Sequence, residues 1–167
     1  MIILGVDPGT ATTGYGVINS SEKKDEKENL KCIDFGCIET KKDLYFPKRL
    51  ILVSKEIRKL VKLYRPSLAA IEKLFFFKNH KTAISVSQSI GVIILTLERM
   101  KIPIVEYSPL QVKKNLTNNG RSDKKEVQKE VEKIYTLEKK IKKDDAADAL
   151  AIATYAARDF KLKKVQK

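Results

Sequence analysis

Apolar residues along this chain fall into short runs and helical repeats separated by charged or turn-forming segments. Ile2 to Val6 is an unbroken apolar run that stops at Asp7, and the Pro8-Gly9 pair behind it suits the middle of a tight turn. Gly14 to Asn19 resumes as a second strand and Leu30 to Thr40 as a third, with the charged stretch Ser20 to Asn29 between them as an exposed hairpin tip. From Pro47 to Tyr64 the apolar residues Leu50, Val53, Ile57, Leu60, Val61 and Tyr64 recur at helical spacing. Leu68 to Ile71 then reads as a buried strand ending at Glu72. A long helix from about His80 to Met100 and a strand from Ile104 to Tyr107 follow.

The last third of the chain is helical. Ser108-Pro109 fits an N-cap with proline in the first helical position, so Pro109 to Leu116 forms a short helix. Asp123 with Glu126 three residues on has the form of a capping box and starts a basic helix reaching about Tyr135. A final helix begins near Asp144 and runs to about Phe160. Two hairpins followed by two crossovers predict an α/β fold. Its sheet has five strands, three antiparallel at the N-terminus and then parallel crossovers, with helices on both faces.

Composition narrows the class of partner. The 167 residues fit one domain with a sizeable buried core. Lys and Arg number 34 against 21 acidic residues, a formal net charge of +13 with an isoelectric point near 9.6. Such an excess favours a polyanion, because phosphate contacts release condensed counterions; a lysine-rich background composition is the alternative source of the same charge. No segment approaches the ~20 apolar residues that cross a bilayer, and the N-terminus lacks a signal-peptide layout, so the expectation is a cytoplasmic protein with no membrane partner. Cys32 and Cys37 are five apart in what reads as one strand, which predicts opposite faces about 16 Å apart and neither a mutual disulfide nor half of a paired-cysteine zinc site.

The candidate chemistry is acidic. Two apolar strands end in a carboxylate, Asp7 and Glu72, where a buried strand emerges from a sheet and clefts form. Asp145 and Asp148 stand three apart at the start of a helix, separated by alanines that permit close packing. Each has a plainer role available: Asp7 in a Pro-Gly turn, Asp145 or Asp148 as a helix cap, and Glu72 in a surface ion pair. Four carboxylates converging from three segments would resist joint ionisation unless a divalent cation joined them. Oxygen-only ligands favour Mg2+, with Mn2+ as substitute, and two such ions suit water activation in phosphodiester hydrolysis.

Three segments carry a resemblance. Leu4-Gly5-Val6-Asp7-Pro8-Gly9-Thr10 with Thr13-Gly14-Tyr15-Gly16, Ile71-Glu72 with Phe75 and Lys78-Asn79, and Asp145-Ala146-Ala147-Asp148-Ala149-Leu150-Ala151 resemble, in this order and over nearly the whole chain, the motifs of the RuvC family of Holliday-junction resolvases. The resemblance implies an RNase H-like fold and a metal-dependent endonuclease that resolves four-way DNA junctions in recombination and repair by paired symmetric nicks. By it, Asp7, Glu72, Asp145 and Asp148 take the family's catalytic and metal-binding positions. Lys113 and Lys124 match basic positions that engage DNA near the scissile phosphate, with Lys78 and Arg121 as further basic candidates. It also implies a homodimer and a junction branch-migration helicase as partner. Lys73 stands where the family usually has glutamine, and Asn118-Asn119-Gly120 replaces a more glycine-rich loop.

Two further features gain meaning beside that resemblance. Phe75-Phe76-Phe77 next to Lys78 and Lys81 reads either as core packing or as an aromatic wedge for unpaired bases at a junction centre, Phe75 matching the family's aromatic position. The helix from His80 to Met100 has more apolar positions than one face requires, which fits either complete burial in its own domain or a two-fold partner on its second face. Asp7-Pro8-Gly9-Thr10 also resembles the phosphate-binding turn of sugar-kinase and actin-like ATPases. Those proteins enclose ATP with a duplicated domain larger than 167 residues supply.

Overall fold

A computed structural model describes residues 1–21, 29–73, 80–135, 137 and 140–165, with the side chains of 80–82 and 161–165 left out. The five strands are β1 (Ile2–Asp7), β2 (Thr12–Ser20), β3 (Leu30–Glu39), β4 (Leu68–Glu72) and β5 (Ile104–Tyr107). The helices are α1 (Phe46–Tyr64), α2 (His80–Arg99), α3 (Pro109–Thr117), α4 (Lys124–Ile134) and α5 (Asp144–Val165). The sheet order is β3-β2-β1-β4-β5. β1, β2 and β3 pair antiparallel, while β4 and β5 join in parallel beyond β1, as the two-hairpin, two-crossover pattern predicts.

Alternation along the strands sorts the core into two layers. Ile3, Ile18, Leu68 and Ala70 face α3, α4 and α5, and Leu4, Val6, Val17, Ala69 and Ile71 face α1 and α2. α1 buries Val53, Ile57 and Val61 against the second layer, the stripe that its spacing marks out. Ser108 is the expected N-cap and closes a capping box with Gln111 as well, and Asp123 closes the capping box expected of it with Glu126, each accepting from the backbone N–H three residues on. Such caps stabilise a helix start by about 1 kcal/mol each.

α5 lies unusually close to the sheet. Its Ala146, Ala147, Ala149, Ala151, Ala153, Ala156 and Ala157 are all buried, and the strands beneath answer with glycine. A Cβ added at Gly5 would stand 2.1 Å from the Ala149 carbonyl oxygen, and one at Gly14 would stand 1.9 Å from that of Asp145. At Gly16 it would meet Leu150 at 2.8 Å. Small residues on both surfaces let helix backbone rest on strand backbone, and that contact fixes where the first turn of α5 sits.

One expectation fails. Cys32 and Cys37 do not face opposite sides: both pack against the layer that holds α5. The register of β3 slips where Val17 pairs with Asp34 but Ile18 pairs with Cys32, leaving Ile33 as an inserted residue. That β-bulge restores the parity of residues an odd number apart. The thiols remain free, and burial holds both above the ordinary cysteine value, Cys32 at about 11. Smaller differences lie at the ends, where β2 starts at Thr12 and α5 continues to Val165. Most of the hairpin tip falls outside the described residues.

The close seating of α5 makes a direct stability test. Gly5→Ala places a methyl group on backbone that has no side chain to move aside, and overpacking of this kind costs about 1–3 kcal/mol. The melting temperature should fall by about 2–4 °C per kcal/mol for a chain of this size; an unchanged melting curve would show that the helix does not rest on Gly5.

Candidate active site at the ends of the central strands

Strand geometry brings the first two carboxylates together. Asp7 lies on the same side of β1 as Ile3 and Gly5, and Glu72 on the same side of β4 as Leu68 and Ala70, so both face α5. The parallel register places Val6 beside Ile71, which makes Asp7 and Glu72 neighbours one step further along adjacent strands. Glu72 lies in register with Tyr107 of β5, whose hydroxyl donates to Asp159 Oδ2 at 2.8 Å. The Asp7 and Glu72 carboxyl groups come within hydrogen-bonding reach of each other.

The third and fourth arrive with α5. Gly14 is the β2 partner of Asp7, and the Asp145 backbone sits directly on Gly14. Asp148, one helical turn further along, accepts an ion pair from Lys124 Nζ at 3.3 Å. The glycine floor therefore places the start of α5 above the end of β1. Asp7, Glu72 and Asp148 interact electrostatically with one another, and Asp145 acts on Asp7 and Asp148.

Crowding like charges in a half-buried pocket has the expected effect on protonation. Burial, then the Glu72 carboxylate and its hydrogen bond, then Asp148 and Asp145, hold Asp7 well above the usual carboxylate range. Glu72 is raised by burial, against the lowering effect of the Asp7 hydrogen bond and of Lys124 and Lys113. Asp148 is raised by burial despite its pairing with Lys124. Of the two, Asp7 carries the larger burden of burial and repulsion. Lys124 loses some preference for its charge through burial and regains more from Asp148, Asp7 and Asp145.

The two lysines singled out in the sequence flank this pocket. Lys113 on α3 lowers the carboxylate protonation of Glu72 and Asp148, and its ammonium donates to the Ser122 carbonyl at 2.7 Å. Lys124 opens α4 directly against Asp148. Arg121 is exposed in the turn between those helices, its backbone N–H donating to Asn119 Oδ1. Phe75 and Lys78, with Phe76 and Phe77, lie outside the described residues. The contribution of Gly5, Gly14 and Gly16 had a visible signal, since glycines on the α5 side of two paired strands face an alanine-rich helix.

The donor set suits a hard divalent cation: four carboxylates, no thiol or imidazole, and charge repulsion that a cation would relieve. Among the described residues no three such groups stand ready in a ligating arrangement. Asp7 and Glu72 face each other, and Asp148 is turned to Lys124. The four side chains interact electrostatically as one cluster.

Known proteins share this sequence pattern and fold. Residues 3–155 match the family described as Crossover junction endodeoxyribonuclease RuvC. The protein of that description from Petrotoga mobilis is 48% identical over 153 residues, covering 92% of this chain and 91% of its own. That from Clostridioides difficile is 46% identical over 167 residues, covering 100% and 96%. Among solved structures, Thermus thermophilus RuvC superposes with a TM-score of 0.87 at 26% identity, over 98% of this chain and 97% of that one. The same protein in complex with a Holliday junction substrate gives a TM-score of 0.86. The mixed five-stranded sheet with α5 across it is thus the RNase H-like fold, and the chain belongs to the RuvC family of crossover junction endodeoxyribonucleases.

Proposed function

We propose that this protein is a structure-specific DNA endonuclease that resolves Holliday junctions in recombination and repair. Asp7, Glu72, Asp145 and Asp148 are its catalytic, metal-holding carboxylates. The observation that carries the reading is the buried acidic pocket where β1, β4 and α5 meet, flanked by Lys113 and Lys124 in a chain of net charge +13. A divalent cation in this pocket, Mg2+ or in its place Mn2+, supplies water activation and charge compensation at the phosphodiester, and the four carboxylates suit two such ions. Asp7, Glu72, Asp145 and Asp148 would hold such a cation, and its charge would favour their ionised forms. Lys113 and Lys124 stand beside the cleft, where they would receive the phosphate backbone. Arg121, exposed on the same turn, extends that basic surface.

Two matched nicks need two pockets related by symmetry. The exposed face of α2 supplies a surface for a second copy: Ile84 is 75% exposed and Leu95 52%, and a Cβ added at Gly91 between them would point into open space among the described residues. Those positions share one helix face. The 167 residues act as a single nuclease domain, in the cytoplasm with chromosomal DNA, and a branch-migration helicase that presents the junction is the partner that family membership supports.

Asp7→Asn should abolish cleavage of a synthetic four-way junction in Mg2+ while junction affinity stays within about threefold of wild type, since the basic surface is untouched. Its stability should move the other way. A raised folded-state pKa contributes stability that is present at low pH and lost as pH rises through the folded value. At pH 7 without divalent cations the Asn variant should therefore melt higher than wild type, with the gap closing towards pH 4. Equal melting at all pH values would argue against the protonated cluster.

Leu95→Glu should convert the dimer to monomers in sedimentation velocity and replace paired cuts by isolated nicks. A variant that stays dimeric with symmetric cleavage would move the interface away from α2.

A further inference from the structure

The turn that follows Asp7 is tied down by side chains from four different elements. Gly9 and Thr10 present successive backbone carbonyls, and each accepts two side-chain hydrogen bonds. The Gly9 carbonyl accepts from Thr13 Oγ1 at 2.9 Å and from Ser89 Oγ at 3.1 Å. The Thr10 carbonyl accepts from Thr40 Oγ1 at 2.7 Å and from Arg49 Nη2 at 2.5 Å. Arg49 Nε also donates to Thr40 Oγ1 at 2.9 Å, so one guanidinium binds both the turn and the residue that follows β3. Backbone closes the same seam, Thr40 N–H donating to the Ala11 carbonyl at 2.9 Å.

Arg49 is an unusual choice for this task. It lies half-buried in the first turn of α1, and among the described residues no carboxylate forms an ion pair with it. Its charge is spent on a neutral carbonyl and a hydroxyl, with the Phe46 ring 5.9 Å from the guanidinium carbon. A guanidinium donates in a fixed fork, so it sets direction as well as distance. The turn it holds begins one residue after Asp7, a carboxylate pressed from several sides by like charge. Gly9 has no room to adjust, since a Cβ there would stand 2.0 Å from the Thr12 carbonyl oxygen.

We infer that Arg49, acting with Thr40, is a positioning residue for the reaction: it locks the turn after β1 and thereby the direction in which Asp7 enters the pocket. Ser89 makes the matching attachment from α2. Arg49 does not touch the reacting atoms in this role. The inference rests on the nuclease reading, because it is the geometry of Asp7 in that reaction that the tether serves.

The test combines single-turnover cleavage of a four-way junction, junction binding, and amide hydrogen exchange over residues 9–12 in the metal-free protein. Arg49→Ala should lower the cleavage rate at saturating protein about tenfold or more, the scale on which small misplacements of reacting groups act. Junction affinity should hold, and exchange in the turn should accelerate. Thr40→Val should show the same pattern and Thr40→Ser should recover most of the rate, which keeps the test decisive if Arg49→Ala folds poorly. A cleavage rate within twofold of wild type in both Arg49→Ala and Thr40→Val, or turn exchange identical to wild type, would overturn the inference. A loss of junction affinity equal to the loss of rate would overturn it too, making Arg49 a phosphate contact. If wild type itself fails to cleave, the nuclease reading falls, while the exchange arm still reports whether the tether holds the turn.

Discussion

Repulsion among carboxylates is the constraint around which this molecule is arranged. Two unit charges near a protein surface interact by a few kcal/mol at 4 Å, and the pocket gathers several such pairs where β1, β4 and α5 meet. What holds them there is packing. Each buried large aliphatic such as Leu150 or Ile152 contributes about 1.5–3 kcal/mol, and α5 seats closely on the sheet, Ala149 and Ala153 on Gly5, Asp145 on Gly14 and Leu150 on Gly16. The fold thus spends part of its apolar stabilisation on keeping like charges in contact. An ammonium set against Asp148 offsets part of that repulsion, and burial with repulsion favours the protonated form of Asp7.

That local acidity inside a strongly basic chain gives the molecule two electrical scales. At long range the charge of +13 attracts a polyanion. At the pocket the sign reverses, so a phosphate arriving on the basic surface meets carboxylates that repel it unless a cation intervenes. Lys113 and Lys124 occupy the boundary between the two regimes, each held by a specific acceptor, the Ser122 carbonyl and Asp148. Attraction at the surface and repulsion at the pocket are thus separate, and neutralising the carboxylates is what would join them.

Much of this was legible in the sequence because local signals agreed with one another. The stop of an apolar run at Asp7, the parallel strand ending at Glu72, the N-cap at Ser108 and the capping box at Asp123 all appear where their residues place them. The cysteine placement failed for a definite reason: Ile33 is an inserted residue, and no pattern of apolar positions announces a bulge that reverses strand parity. The tether of Gly9 and Thr10 was equally hidden, since Thr40, Arg49 and Ser89 come from separate elements and meet only through the fold. Periodicity reports which face a residue occupies. It does not report which backbone carbonyl that residue will find.

The most direct measurement is calorimetric titration of Mg2+ into the protein near neutral pH in two buffers of different ionisation enthalpy. A pocket that keeps a proton between Asp7 and Glu72 must release it when the cation enters, so the observed heat should depend on the buffer, and that dependence should vanish in Asp7→Asn. Binding with the same heat in both buffers, or no saturable binding at all, would contradict a protonated carboxylate cluster that serves as the cation site.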